Sequence, residues 1–549
     1  MASLNAHTAP LGIENARHLL RRASFAYTRP LIEQFAVLTP QEALSLLFRD
    51  LPQTLLLPYD PLPSGNPDGF WTSSANNPSA FAGQDRKTTI VAGWWFYNAI
   101  KSPTLKYKMS HFLSTRFTVE KANNAGSATD FYDYIQLLLF YSYGNYKTLA
   151  KKMTVNNSML TYLNNTANNQ EAPNENYARE FLELFTIGKG PQIGPGDYTN
   201  YTEADIVQAA KLLTGFKKEP DRSIIDADTG IPRGYNSFPN HEGNPKTFSA
   251  AFNNKTIIPA TTAEEMDREL SDYIDMIFDQ EATSKNICRK LYSYFVKSKI
   301  SIETENDIIV PLAQQLLEND YEIAPVLRRL LESLHFYDLD DSDSNDETIG
   351  GMIKAPIQIL SEVAVALEAA IPDPETEPEA FYITFWQQFA HDVFLKEANM
   401  LLFDPDNVAG HPAYYQTPDY DKSWISAATL VARYRLSESL LDGLNRIGGN
   451  EDIAAKINIL DVVADAAIFP IPDDPYILTA ELCNTLFAQA TDDERINFFM
   501  NTFLLQGQPV GDWTALWSFY IEANFTSVAD LRLRSLVTNI LKAPECQMF

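Results

Sequence analysis

Apolar residues recur every three or four positions along most of this chain. Ile13, Ala16, Leu19 and Leu20 form one stripe, with Arg17, Arg21 and Arg22 on the polar side. Thr202 is placed to cap a helix in which Ile206, Ala209, Ala210 and Leu213 repeat at i, i+3, i+4 and i+7, and Gly215 is placed to end it. The same period predicts helices across residues 128–152, 263–279, 281–298, 307–317, 323–335, 355–369, 424–444 and 452–465. Alternating strand patterns are scarce. The expected fold is mainly α, a multi-helix assembly with long Pro-, Gly- and Asn-rich loops rather than a simple bundle.

Those connections are long. Residues 51–88, 216–260, 338–350 and 403–423 are rich in Pro, Gly, Asn and Asp, and loops of this length in a compact protein usually fold back as functional segments. The run Pro372-Asp373-Pro374-Glu375-Thr376-Glu377-Pro378 reads as a stiff, solvated link. It divides an expected N-terminal helical body, 1–371, from a C-terminal helical part, 379–549, unless the two form one continuous domain. No internal repeat stands out at periods of 20 to 50 residues.

The densest chemistry lies in Asn174 to Phe185. At helical spacing Asn176, Arg179, Glu180 and Glu183 share one face, and Tyr177, Phe181, Leu184 and Phe185 form the opposite, core-facing stripe. Such a polar cluster either joins neighbouring segments through Arg-carboxylate hydrogen bonds or lines a ligand or metal site.

Composition narrows the choices. A chain of 549 residues with 45% hydrophobic and 12% aromatic content builds a large core and is not disordered, despite a net charge of −28. With 43 basic residues against 71 acidic ones, nucleic acid is excluded as a partner, whereas a cationic partner or a divalent metal is compatible. Cys288, Cys483 and Cys546 match no zinc spacing or disulfide framework. The stretch Met1 to His7 lacks the charged start and apolar run of an export signal, which points to the cytoplasm. No apolar run reaches the roughly 20 residues that a membrane span needs.

Several runs together resemble the uncharacterised bacterial family catalogued as domain of unknown function 1800, in its Bacteroidota-like branch. They are Ala16 to Phe25, Asn174 to Gly188, Tyr201 to Asp205 leading to Leu213-Thr214-Gly215, His241 to Phe248, Ile353 to Pro356, and Pro405 to Pro412. The resemblance implies no established activity. It implies, by association only, an exported or periplasmic location and a sulfatase-like neighbour. Typical members carry histidines in a Trp-His-Asn-His-Phe run and in the Leu-Phe-Thr-Ile-Gly stretch, which with the helix carboxylates would make a metal site. Here Ser114, Arg116 and Phe185 stand at those places. The expectation is a degenerate site in which Arg116 pairs with Glu180 or Glu183 in place of a metal.

Other residues offer alternatives. His241, in a loop followed by Lys246, could act as acid, base or ligand, or could anchor its loop. Asp341, Asp343 and Asn345 have the one-in-two spacing of a calcium loop, but Asp346 and Met352 stand where its turn Gly and closing Glu belong, so a solvated acidic loop is favoured. Tyr414, Tyr415, Tyr420 and Trp424 alternate with Asp419 and Asp421, which suits sugar or peptide recognition or plain packing, and Trp71, Trp94 and Trp95 could extend that surface. There is no Gly-x-Ser-x-Gly elbow and no phosphate loop. Adjacent arginines should hold Glu180 and Glu183 ionised.

The leading expectation is a non-catalytic binding or assembly protein without a cofactor, whose polar core includes Asn176, Arg179, Glu180, Glu183, Arg116 and Arg21. Its ligand would be a protein or a carbohydrate. The alternatives are a metal-dependent or carboxylate-based hydrolase using Glu180, Glu183 and His241, and a calcium-stabilised surface protein.

Overall fold

The computed structural model describes residues 2–62, 69–73, 83–121, 126–340, 347–523 and 526–549. Asp341, Asp343 and Asn345 therefore lie outside the described residues. Within them the chain is mainly α, with 22 α-helices and strands confined to three two-stranded antiparallel pairs. Long, separate helices bury apolar stripes against one another, and a single cluster of buried apolar side chains runs from Ala2 to Cys546.

The stripes read from the sequence form helices at Gly12–Ala23, Glu203–Leu212, Glu265–Phe278, Glu281–Phe295, Ile323–Leu331, Pro356–Ala366 and Ala427–Asp442. Thr202 and Asp205 close a capping box, and Gly215 follows at φ +82, where an added Cβ would lie 2.7 Å from the Ser237 carbonyl oxygen. Two expectations are corrected. The stretch 128–152 is two helices, Ala128–Phe140 and Tyr146–Thr154, because the Asn145 side chain caps a new start by accepting from the Thr148 N–H at 2.8 Å. Of 452–465 only Ile459–Ala464 is helical, since backbone bridges from Asp452 to Leu444 and from Lys456 to Ala370 hold the preceding segment extended.

The centre of the molecule is the helix Gln84–Lys101, buried from Lys87 to Ile100. Trp94 and Trp95 donate their indole N–H groups to the Leu55 carbonyl and the Ser110 hydroxyl, and Trp386 donates to the Thr89 carbonyl. Trp386 also stacks on Phe96 at 4.9 Å. Gly93 permits this approach, because a Cβ there would lie 2.6 Å from the Trp386 ring. Trp386 belongs to a wide-turn π-helix, Ala380–Leu395, so residues on both sides of Pro372–Pro378 share this packing. Among the described residues no helix is long and apolar enough to cross a membrane.

Candidate functional site

The Asn174 to Phe185 segment starts as the α-helix Glu175–Glu180, with the Asn174 side chain capping the Asn176 N–H at 2.9 Å. It then widens into a π-helical turn, Phe181–Phe185, closed by the Thr186 hydroxyl donating to the Phe181 carbonyl at 2.6 Å. The extra residue per turn shifts the register. Tyr177, Phe181 and Phe185 face the core as the periodicity predicts, but Leu182 joins them and Leu184 is only half-buried.

On the polar side the four residues divide. Asn176 donates to the Leu163 carbonyl at 3.2 Å and anchors the preceding loop. Arg179 forks onto Glu203 at 2.7 and 2.9 Å and reaches Glu175 at 3.2 Å. That fork raises the Arg179 pKa and, chiefly through the same hydrogen bonds, lowers that of Glu203. Glu183 meets Lys189 Nζ at 2.5 Å and accepts from the Tyr201 hydroxyl at 3.5 Å. Glu180 has no ion pair among the described residues. Burial, reinforced by the Glu183 charge, pushes its carboxyl up to about 7. The expectation that neighbouring arginines keep both glutamates ionised therefore fails for Glu180, because the Arg179 guanidinium is committed to Glu203.

Arg116 is not with them. It is 7% exposed, and its Nε donates to the Thr115 hydroxyl at 3.2 Å. No ion pair joins it to Glu180 or Glu183 among the described residues, so the guanidinium does not stand in for a cation between the two acids. It lies instead beside Lys290, Tyr294, Tyr414 and Tyr420. Ser114 donates to the His111 carbonyl, and Phe185 packs on Phe117 at 5.3 Å. Arg21, grouped with this cluster on sequence, pairs with Glu362 elsewhere in the core.

His241 is locked. Its Nδ1 lies 2.9 Å from the Thr214 carbonyl and its Nε2 lies 2.8 Å from Glu269. Lys246 bonds the other Glu269 oxygen at 2.7 Å and the Glu242 carbonyl. Burial would raise the Glu269 pKa, but His241, Lys246 and the Ala260 N–H overcome it and lower the value. All three side chains are buried, with no contact to Glu180 or Glu183 among the described residues. Glu269 escaped the sequence reading because it sits on an amphipathic helix, Glu265–Phe278, among five other acidic or basic residues, none of them buried.

The aromatic loop is built inward. Trp71, Trp94 and Trp95 are completely buried and Trp424 is 2% exposed, so none offers a free ring face to a ligand. Tyr414 and Tyr420 are half-buried against the Arg116 side, and Tyr415 accepts from the Asn407 side chain at 3.4 Å. Asp421 accepts from the Ser298 hydroxyl at 2.5 Å and the Ile353 N–H at 2.7 Å, which ties the loop down. Among the described residues no three His, Cys, Asp or Glu groups are placed to hold a metal ion.

No curated protein and no solved structure matches the chain. A family model does, over residues 18–548, which include the capped helix, the locked histidine loop and the aromatic loop described above. The chain therefore belongs to the DUF1800 family, proteins of unknown function.

Proposed function

We propose that this protein works as a non-catalytic binding or assembly protein that docks a partner protein through its C-terminal helices. The observation that supports this is the helix Val510–Ala523, which is apolar on more than one face. Trp513 and Trp517 enter the core, yet Phe519 and Ile521 on the same helix are each 62% exposed. Leu531, 65% exposed, and Val528 add to this on the adjoining helix Ser527–Lys542. A helix that is apolar all round belongs in an interior, so the outward side chains await a partner. The saturated bonding of His241, Lys246 and Arg179 agrees with a structural role for them. The test is affinity capture from the native cell with the wild type and with Phe519→Ser/Ile521→Ser/Leu531→Ser. The expected result is a stoichiometric partner lost in the variant, with an unchanged melting temperature. Identical capture by both proteins defeats the reading.

One observation favours a second reading, carboxylate-based hydrolysis: burial and the Glu183 charge push the Glu180 carboxyl up to about 7, while Glu183 is held by Lys189 and the Tyr201 hydroxyl, the pairing of unlike acids that a hydrolase uses. Hydrolysis of model esters and glycosides by the wild type, Glu180→Gln and Glu183→Gln separates the two: turnover by the wild type that both substitutions abolish defeats the binding reading.

A further inference from the structure

Arg116 and Lys290 bring two positive charges to one narrow cleft. Arg116 follows the helix Lys106–Ser114, and Lys290 projects from Glu281–Phe295. The cleft encloses about 260 Å³ including its mouth, and its inner part holds little more than a water-sized sphere. Its lining carries no Asp or Glu: beside the two cations are the polar groups of Thr115, Ser293, Tyr414 and Tyr420.

Neither cation has a counter-ion among the described residues. Arg116 makes one hydrogen bond, through Nε, which leaves both terminal guanidinium nitrogens without a partner although the side chain is over nine-tenths buried. Lys290 makes no hydrogen bond or ion pair. Acceptors on the same or adjoining elements are engaged elsewhere: Glu305 with Arg289 at 2.9 and 2.5 Å, Asp421 with Ser298 and Ile353, and the Tyr294 hydroxyl with His111 Nδ1 at 2.8 Å. Arg116 is buried and Lys290 partly so, and two like charges brought close in such a setting destabilise each other unless something negative is bound. Burial, then the Arg116 charge, pushes the Lys290 ammonium down to about 7, and burial pushes the Arg116 guanidinium down to about 10.

We propose that this cleft is a binding site for the carboxylate head of a small ligand, gripped by the free edge of the Arg116 guanidinium and by Lys290 Nζ. A planar carboxylate fits the guanidinium edge with two parallel hydrogen bonds. The guanidinium edge faces a cleft bordered by Tyr414 and Tyr420, whose side chains lie where the remainder of the ligand would extend toward the mouth. This site is separate from the Val510–Ala523 surface and from Glu180.

Titration calorimetry with sodium acetate, against sodium chloride at matched ionic strength and against sodium phosphate, tests it on the full chain. Acetate is expected to bind where chloride does not, and Arg116→Met and Lys290→Met are expected to weaken it about tenfold or more. Arg116→Lys, which keeps the charge and loses the fork, is expected to fall between. Binding of phosphate in preference to acetate overturns the carboxylate assignment, and acetate binding undiminished in both Met variants overturns the site. Should those variants not fold, acylation of Lys290 in the wild type, read by peptide mass, decides it: acetate protects this lysine if the proposal holds, and unchanged labelling overturns it.

Discussion

Arg21 and Glu362 lie 341 residues apart in the chain and meet at 2.9 Å, 1% and 2% exposed. The same guanidinium donates to the Phe487 and Thr485 carbonyls, and Lys354 reaches the same Glu362 oxygen at 3.0 Å. One buried guanidinium thus ties the first helix to Pro356–Ala366, through Glu362, and to the C-terminal end of the helix Pro475–Leu486.

Glu362 is shared by two buried cations, so Glu362→Gln, which strands both, is expected to lower stability by about 3–5 kcal/mol and Arg21→Met, which leaves Glu362 with Lys354, by less, whereas Arg21→Met with Glu362→Leu and Lys354→Met should recover much of the loss. Urea denaturation measures this, and single-variant losses under about 1 kcal/mol would contradict a coupled buried pair.

Glu180 makes stability depend on pH in an unusual direction. Its folded value, about 7, stands above the ordinary 4.5, so the folded state holds the proton more tightly than the unfolded one. Its contribution is present at pH 4.5 and below and is lost as pH rises through 7, by at most about 3 kcal/mol. Asp133 is raised into the same range by burial, so the informative quantity is wild type minus Glu180→Gln. That difference should shift in favour of the variant between pH 5 and pH 8, and a flat difference would refute the assignment.

Glu269 runs the other way. Its lowered value means that its contribution is present above the ordinary carboxylate range and is lost as pH falls through the folded value. Glu269→Gln should be destabilised at pH 7 and lose less than the wild type on acidification below pH 4.5, as followed by circular dichroism. Equal acid sensitivity of the two proteins would show that His241 and Lys246 do not hold this carboxylate.

Asp205 is more than a helix cap. Its oxygens accept from the Thr202 N–H and hydroxyl at 2.8 and 2.9 Å and from the Ser249 N–H and hydroxyl, both at 2.7 Å. Asp205→Ala should cost about 2–4 kcal/mol, beyond the roughly 1 kcal/mol of a cap alone, because the half-buried Ser249 groups lose their acceptor as well. A thermal-unfolding loss no larger than a cap's would mean that water replaces the carboxylate at Ser249.

Local rules determined the mainly α fold, the capping box at Thr202, the stop at Gly215 and the core side of Tyr177, Phe181 and Phe185, because caps and helical period act within a few residues. They also carried the resemblance to the family. Helices such as Gln84–Lys101 and Val510–Ala523 gave no period to read, since they are apolar on most faces. Tertiary structure alone decided which charges meet. Arg179 could have served Glu180 or Glu183 by spacing, but the Glu203 fork from the next helix takes it. Arg116 could have met the same acids, but its segment turns toward Lys290 and the tyrosine loop. Contacts between charges distant in the chain depend on how helices cross, and helical period carries no record of that.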